Sequence, residues 1–302
     1  MPIQASRRRL ALALVSCAFV SAAWSQTAPS SCRDAPFDIP PRPVDALAAS
    51  AFITSVAGMD ERERDRAVRD QLLAGNLPDF LRRLQPLDAK VALPSGGAAR
   101  LTLCVLADYL SVGSNDDSVL VPMGLDSALA VAERFGFILP TRRIVDLVYQ
   151  AAAVRLAPQP LPAGDQMRST AYILRHQQLI DAQRAQAGAP RGVLSAGHKK
   201  DLVLTPRLWL DPGHVAIYGW HRAIGAPIQP LSTVHGARYA DYSHGVRLVS
   251  QTMYVDGVAR SVFDVLADAR LAPAISDEGP LPQAAELRLA PTPTARAASL
   301  GE

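Results

Sequence analysis

GHKKDLVLTPRLWLDPGHVAIYGWHRAIGAPIQPLSTVHGARYADYSHGVRLVSQTMYVD, residues 197–256, decides the fold class. Short runs rich in Val, Ile, Leu and Tyr fall at 201–205, 214–219, 228–231 and 245–255. Each is bounded by Gly or Pro, as strands of a mostly antiparallel sheet are. Residues 259–268 then read as a closing helix. Upstream of residue 197 the period is mainly helical. Helices first and strands second is the segregation of an α+β fold, not of a doubly wound sheet. The expectation is a helical N-terminal half packed on a mostly antiparallel, strand-rich C-terminal half.

Working outward, residues 60–74 alternate acids and arginines around Ala67, Val68, Leu72 and Leu73. They predict a surface helix with a solvated charged face, ended at Gly75-Asn76. Asn76-Leu-Pro-Asp starts a second short helix. Residues 100–110 and 117–122 read as strands around the polar turn that begins at Gly113. Asp116 and Asp117 belong to that turn, since the alternating ligand pattern of a calcium loop is absent. Residues 126–135 and 141–155 are helical, the second with Thr141 as N-cap and a stripe of Ile144, Val145, Val148 and Ala152. Residues 166–186 form a wetter helix that puts His176 at the surface.

The ends of the chain carry a different signal. Arg7, Arg8 and Arg9 precede an apolar run, Leu10 to Val20, and then small residues up to Ser25. That is the order of a secretory signal peptide, in a run shorter than a membrane span. Two variants compete with it: a lipoprotein box ending at Cys17, and a twin-arginine signal at Ser6-Arg7-Arg8-Arg9-Leu10. Removing residues 1–25 takes three of the 31 basic residues and no acids, leaving 28 basic against 28 acidic residues. A neutral mature chain without a basic stripe excludes nucleic acid as the expected partner. Cys32 and Cys104 remain, and in an exported chain they form a disulfide. The alternative, Cys104 as a nucleophile, conflicts with its apolar strand-like surroundings. The organisation read from these signals is a signal peptide over 1–25, an extended lead-in over 26–45, one globular domain over 46–280 and a disordered tail over 281–302.

Five of the six histidines, two of the three lysines and four of the seven tyrosines fall inside the opening stretch. Proton-transfer and ligand-binding groups concentrate in sites, so a site is expected here. In a chain with 28 arginines, the adjacent Lys199 and Lys200 after His198 mark a place that selects the compact ammonium. His214 and His221 are seven apart and point to opposite faces of one strand unless Gly219 bends it. The densest part runs from His235 to His244. His235, Asp241 and His244 are the candidate catalytic residues, a base with an orienting acid. His198, Lys199, Lys200, His214, Trp220, His221, Tyr239, Tyr242, Ser243 and Arg247 are the candidate substrate contacts. No cofactor is expected. Zinc is the alternative, held by His235, Asp241 and His244, since zinc hydrolase sites often combine two histidines with a carboxylate. Ser243 and His244, being adjacent on an extended chain, point apart and do not form a dyad.

His235-Gly236 followed by Ser243-His244-Gly245-Val246-Arg247-Leu248 resembles the active-site signature of the L,D-transpeptidase catalytic domain, a bacterial envelope enzyme. In that family a cysteine nucleophile follows the Ser-His-Gly step, and Val246 stands there instead. The resemblance implies an envelope-facing β fold whose histidines and Arg247 bind a substrate carboxylate, without the cysteine chemistry.

The functional expectation is an exported hydrolase or transferase of the periplasm or the extracellular space, acting on an envelope or extracellular polymer through this His/Asp/Lys/Tyr-rich cleft. The alternative is a non-catalytic binding module for an anionic saccharide or peptide. A third reading has the block only fastening strands to the helical half. No transmembrane span is expected in the mature chain.

Overall fold

The computed structural model describes residues 32–288. The expected signal peptide with its two variants, and the stretch beyond residue 288, lie outside the described residues. The fold is α+β, with helices dominating the first half and strands the second. In the larger sheet, Ala98–Val105 pairs antiparallel with Gln85–Ala92 on one edge and with Val249–Ser250 and Thr252–Val255 on the other. Phe137–Ile138 and Val258–Ser261 extend it. The second sheet has the order Pro227–Gly236, His214–His221, Lys200–Leu202, His244–Gly245, its last pair parallel and the others antiparallel. This second sheet holds most of the histidine-rich block.

The strand Gln85–Ala92 was not among the expected elements, although Leu87 and Ala89 are buried and Asp88 and Lys90 exposed in strict alternation. The strand expected over 100–110 ends at Val105. Beyond it the chain leaves the sheet, and the amides of Leu106 and Leu110 bond the carbonyls of Leu248 and Val246. Ser111–Gly113 then pairs with Ser118–Leu120 in a separate hairpin. Asp117 in the connecting turn accepts from the backbone and hydroxyl of Ser50, fastening the helix Ala49–Ser55.

The helix Glu61–Leu73 begins with a reciprocal capping box between Asp60 and Glu63. Its charged face is not simply solvated. Asp65 accepts from the Gly124 amide at 2.9 Å and the Ser127 hydroxyl at 2.5 Å, so its carboxylate sits at the N-terminus of the helix Leu125–Phe135. Gly75, just past the first helix, has φ +86, and a Cβ there would stand 2.7 Å from the carbonyl oxygens of Pro40 and Pro41. The arm therefore lies directly against the body. It is also tied there by the disulfide between Cys32 and Cys104. Residues 281–288, expected to fall in a loose tail, include a 3-10 helix, Pro282–Arg288, with Leu281 and Ala284 buried. One hydrophobic cluster runs from Cys32 through Leu103 and Ile217 to Ala284 and so spans both halves.

His176 is a correction. It is 0 % exposed, because the helix Thr170–Gln186 buries a polar face, with Gln177 and Arg184, as well as Ile173 and Ile180. Among the described residues no helix is long and apolar enough to cross a membrane.

Candidate functional site

The turn joining Pro227–Gly236 to His244–Gly245 is organised by the Asp241 carboxylate. It accepts from the Ser243 amide at 2.7 Å, the Ser243 hydroxyl at 2.5 Å and the Tyr239 hydroxyl at 3.2 Å. An aspartate bonding the backbone two residues on is a self-closing turn, and here it draws a tyrosine into the same knot. His235, at the end of its strand, stacks on Tyr239 with ring centroids 3.9 Å apart. His244 lies below, 6.4 Å from the His235 ring and 5.6 Å from the Tyr239 ring. Its Nε2 is 3.8 Å from Asp241, too long for a hydrogen bond. Both ring nitrogens of His244, which is 0 % exposed, lack a hydrogen-bond partner. Such an unmade bond costs about 1–3 kcal/mol.

A second set of rings adjoins the turn. Trp220, at φ 57, also leaves its indole nitrogen without a partner, and the Lys200 ammonium lies 5.0 Å over its ring. His176, both of whose nitrogens are likewise unpaired, packs 4.9 Å from Tyr242 and 6.4 Å from Trp220. Lys200, His235 and Tyr239 are half-exposed above these buried groups. Tyr239 also forms part of the wall of an open groove of about 700 Å³, with Arg168, Arg238, His214, Glu61 and Asp126.

The electrostatics define the protonation states. Burial alone would raise the Asp241 carboxyl, but His244 and the Ser243 hydroxyl outweigh it and hold it below its ordinary value. Burial drives His244 down, against the pull of Asp241. His235 is also lowered by burial, with Asp241 opposing and Lys200 assisting. Both imidazoles are therefore neutral near pH 7, and His235 is a half-exposed base. Tyr239 is pushed up to about 12, by burial and then by Asp241, and stays a phenol. Burial lowers the Lys200 ammonium, with Asp241 opposing.

Deeper in the molecule is a second polar assembly. Asp108 accepts from Arg184 at 2.6 Å and bonds His198 at 3.1 Å. Asp201 accepts from the Tyr109 hydroxyl at 2.8 Å and faces Arg247 at 4.0 Å. Arg247 donates to the carbonyls of Leu106 and Ser195, and its guanidinium lies 4.4 Å from the Tyr109 ring centroid. Lys199 donates to the Tyr242 carbonyl. Burial would raise Asp108, but His198 and then Arg184 hold it well below the carboxylate range. Burial pushes Lys199 down to about 7 and Asp201 up to about 6.

Of the residues singled out from the sequence, the structure brings together His235, Asp241, His244, Tyr239, Ser243, Lys200 and Trp220. His198, Lys199 and Arg247 are at most 1 % exposed and make their polar contacts inside the protein. Arg247 in particular is not presented to a carboxylate from outside, and Val246, where the resembling family has its cysteine, is fully buried. Tyr242 has its hydroxyl on the backbone of Leu161. His214 lines the groove and pairs with Asp211. His221 faces away from Trp220, toward Asp146 at 2.9 Å. Asp108, Asp146, His176 and Arg184 were missed, and no local pattern marks them, because the ion-pair and imidazole partners of Asp108, Asp146 and Arg184 lie 75 or more residues away, and those of His176 are ring packings from two distant segments.

Among the described residues no group of three His, Cys, Asp or Glu side chains is arranged to hold a metal ion. Comparison of the chain with family models, curated proteins and solved structures finds no match in any of the three.

Proposed function

We propose that the protein is an exported hydrolase or transferase acting on an envelope or extracellular polymer at the turn around Asp241. The observation that carries this reading is the His235–Tyr239 stack at the edge of the groove, held from below by the buried Asp241 with His244 beside it. A buried carboxylate that holds the Tyr239 hydroxyl, with His235 stacked on that ring, supports reading His235 as a positioned general base. In this reading His235, as neutral imidazole, takes a proton from the attacking water or hydroxyl. Lys200 meets negative charge on the reacting group. Asp241 and His244 position the pair, and Tyr239 contacts the polymer along the groove. Export, by a signal peptide over residues 1–25, is supported by the Cys32–Cys104 disulfide, which fits an oxidising compartment.

The test is turnover of isolated cell-wall polymer and extracellular polysaccharide, followed by release of soluble fragments. Wild type is expected to release fragments. His235→Ala and Asp241→Asn, folded by circular dichroism, are expected to lose at least 100-fold, the scale of general base catalysis. Binding without turnover in wild type would replace the enzyme by the binding module for an anionic saccharide or peptide. Loss of turnover in chelator, restored by zinc, would replace the metal-free base by a His235–Asp241–His244 metal site.

A further inference from the structure

Strand His214–His221 carries a third polar assembly, around Asp146. His221 bonds Asp146 Oδ1 through Nε2 at 2.9 Å, and the Tyr218 hydroxyl donates to the same oxygen at 2.8 Å. The Tyr149 ring stacks on His221 with centroids 4.5 Å apart, and its own hydroxyl donates to the Arg222 carbonyl. These residues line an open cavity of about 530 Å³ under the hairpin tip that contains Ile224 and Gly225. It shares no lining residue with the groove at Tyr239.

We infer that this cavity is a second binding site and that its ligand is a neutral saccharide. It is independent of the role proposed for the Asp241 turn. Both protein donors to Asp146 use Oδ1, so Oδ2 has no partner among the described residues and remains an acceptor on a side chain 28 % exposed. Arg155 spends Nε and one terminal nitrogen on the carbonyls of Tyr149 and Gln150, which leaves Nη1 as a fixed donor. Its guanidinium is held 5.4 Å from the Tyr149 ring centroid. One carboxylate and one guanidinium balance in charge, and sugar hydroxyls both donate and accept, so they satisfy both without bringing a charge of their own. Ile224, 85 % exposed, and Pro227 offer the apolar surface against which the C–H face of a pyranose packs. The volume, about 530 Å³, falls in the range of small-ligand sites.

The experiment is a titration of the full mature chain with maltotriose and with triacetylchitotriose, followed by calorimetry and by imidazole and tyrosine ring resonances. At least one trisaccharide is expected to bind and to move the His221 and Tyr149 signals while leaving His235 and Tyr239 in place. Asp146→Asn and the exposed Arg155→Met are each expected to weaken it at least tenfold. Glycylglycine and ethylammonium, which bring one or both charges, are expected to bind at least tenfold more weakly than the trisaccharide. The inference is overturned if neither trisaccharide binds, if the shifts fall on His235 and Tyr239, if both variants bind as wild type does, or if a charged probe binds better.

Discussion

Asp108→Asn removes one charge from the middle of the buried assembly and nearly preserves its shape. The carboxylate is the acceptor for Arg184 at 2.6 Å and lies 3.1 Å from His198, with side chains 9 %, 6 % and 1 % exposed. The amide keeps one acceptor oxygen, which can serve Arg184 or His198 but not both, and leaves the Arg184 guanidinium without a counter-charge, since its other partner, the Ser195 hydroxyl at 3.0 Å, is neutral. Stranding one member of a buried ion pair costs about 3–5 kcal/mol. For a chain of this size that is a fall of roughly 10 °C in Tm. The pair links residues 76 positions apart, so the loss appears as global destabilisation. The assay is guanidinium unfolding followed by far-ultraviolet circular dichroism, with Arg184→Met and the double variant completing a cycle. The double variant removes both charges and is expected to recover at least half of the loss. A single variant within about 1 kcal/mol of wild type, or a cycle with no coupling, would refute the view that Asp108, Arg184 and His198 form the scaffold beneath the site.

Other consequences are as direct. Reducing the Cys32–Cys104 bond opens a loop of 72 residues, which costs about 4 kcal/mol in chain entropy. Denaturant midpoints with and without reductant check this, and equal midpoints contradict it. Burial holds the Lys199 ammonium down to about 7, well below an exposed lysine, so between about 7 and that ordinary value the unfolded chain binds more protons and stability rises with pH. Below about 7 the buried ammonium is charged in both states, and its desolvation opposes folding in full. Lys199→Met is expected to remove that rise, on the order of a few kcal/mol, in unfolding curves taken from pH 7 to 10, and an unchanged slope contradicts it. Gly245→Ala would place a Cβ 2.7 Å from Tyr109 Cδ1 and 2.8 Å from Lys199 Cβ. Overpacking there is expected to cost about 1–3 kcal/mol in a thermal melt, and an unchanged Tm contradicts the close contact.

The segregation of helices and strands was legible because it rests on local periodicity. Thr141 illustrates the same point at one residue: the side chain next to Pro140 does accept the Ile144 amide and start a helix. The strand Gln85–Ala92 is also legible in principle, through the Leu87, Ala89, Val91 alternation ahead of Pro94-Ser95-Gly96-Gly97, between the short helix expected from Asn76 and the strand expected from Arg100. What could not be read was burial of polar side chains. His176 lies on a helix whose sequence looks wet all round, and Tyr242 and Trp220, from two distant segments, pack against its ring. Within the histidine-rich block the count of imidazoles gave no hint that one strand would divide them. Trp220 and His221 are neighbours in the chain and face different assemblies, one beside Lys200 and the other beside Asp146. The seven-residue spacing of His214 and His221 left a bend at Gly219 open, and the backbone does depart there, with Gly219 at φ +107 and Trp220 at φ +57; the two imidazoles meet different partners, Asp211 and Asp146.

The measurement that bears most directly on the proposed site is the imidazole titration of His235 by nuclear magnetic resonance in wild type, Asp241→Asn and Lys200→Met. His235 is lowered by burial, raised by Asp241 and lowered by Lys200. Wild type is therefore expected to titrate below the ordinary histidine value, Asp241→Asn lower still, and Lys200→Met higher. Opposite displacements of one imidazole by the two variants would establish that His235, Asp241 and Lys200 act on one another as a single site. A His235 that titrates at its ordinary value, and does so unchanged in both variants, would contradict the account.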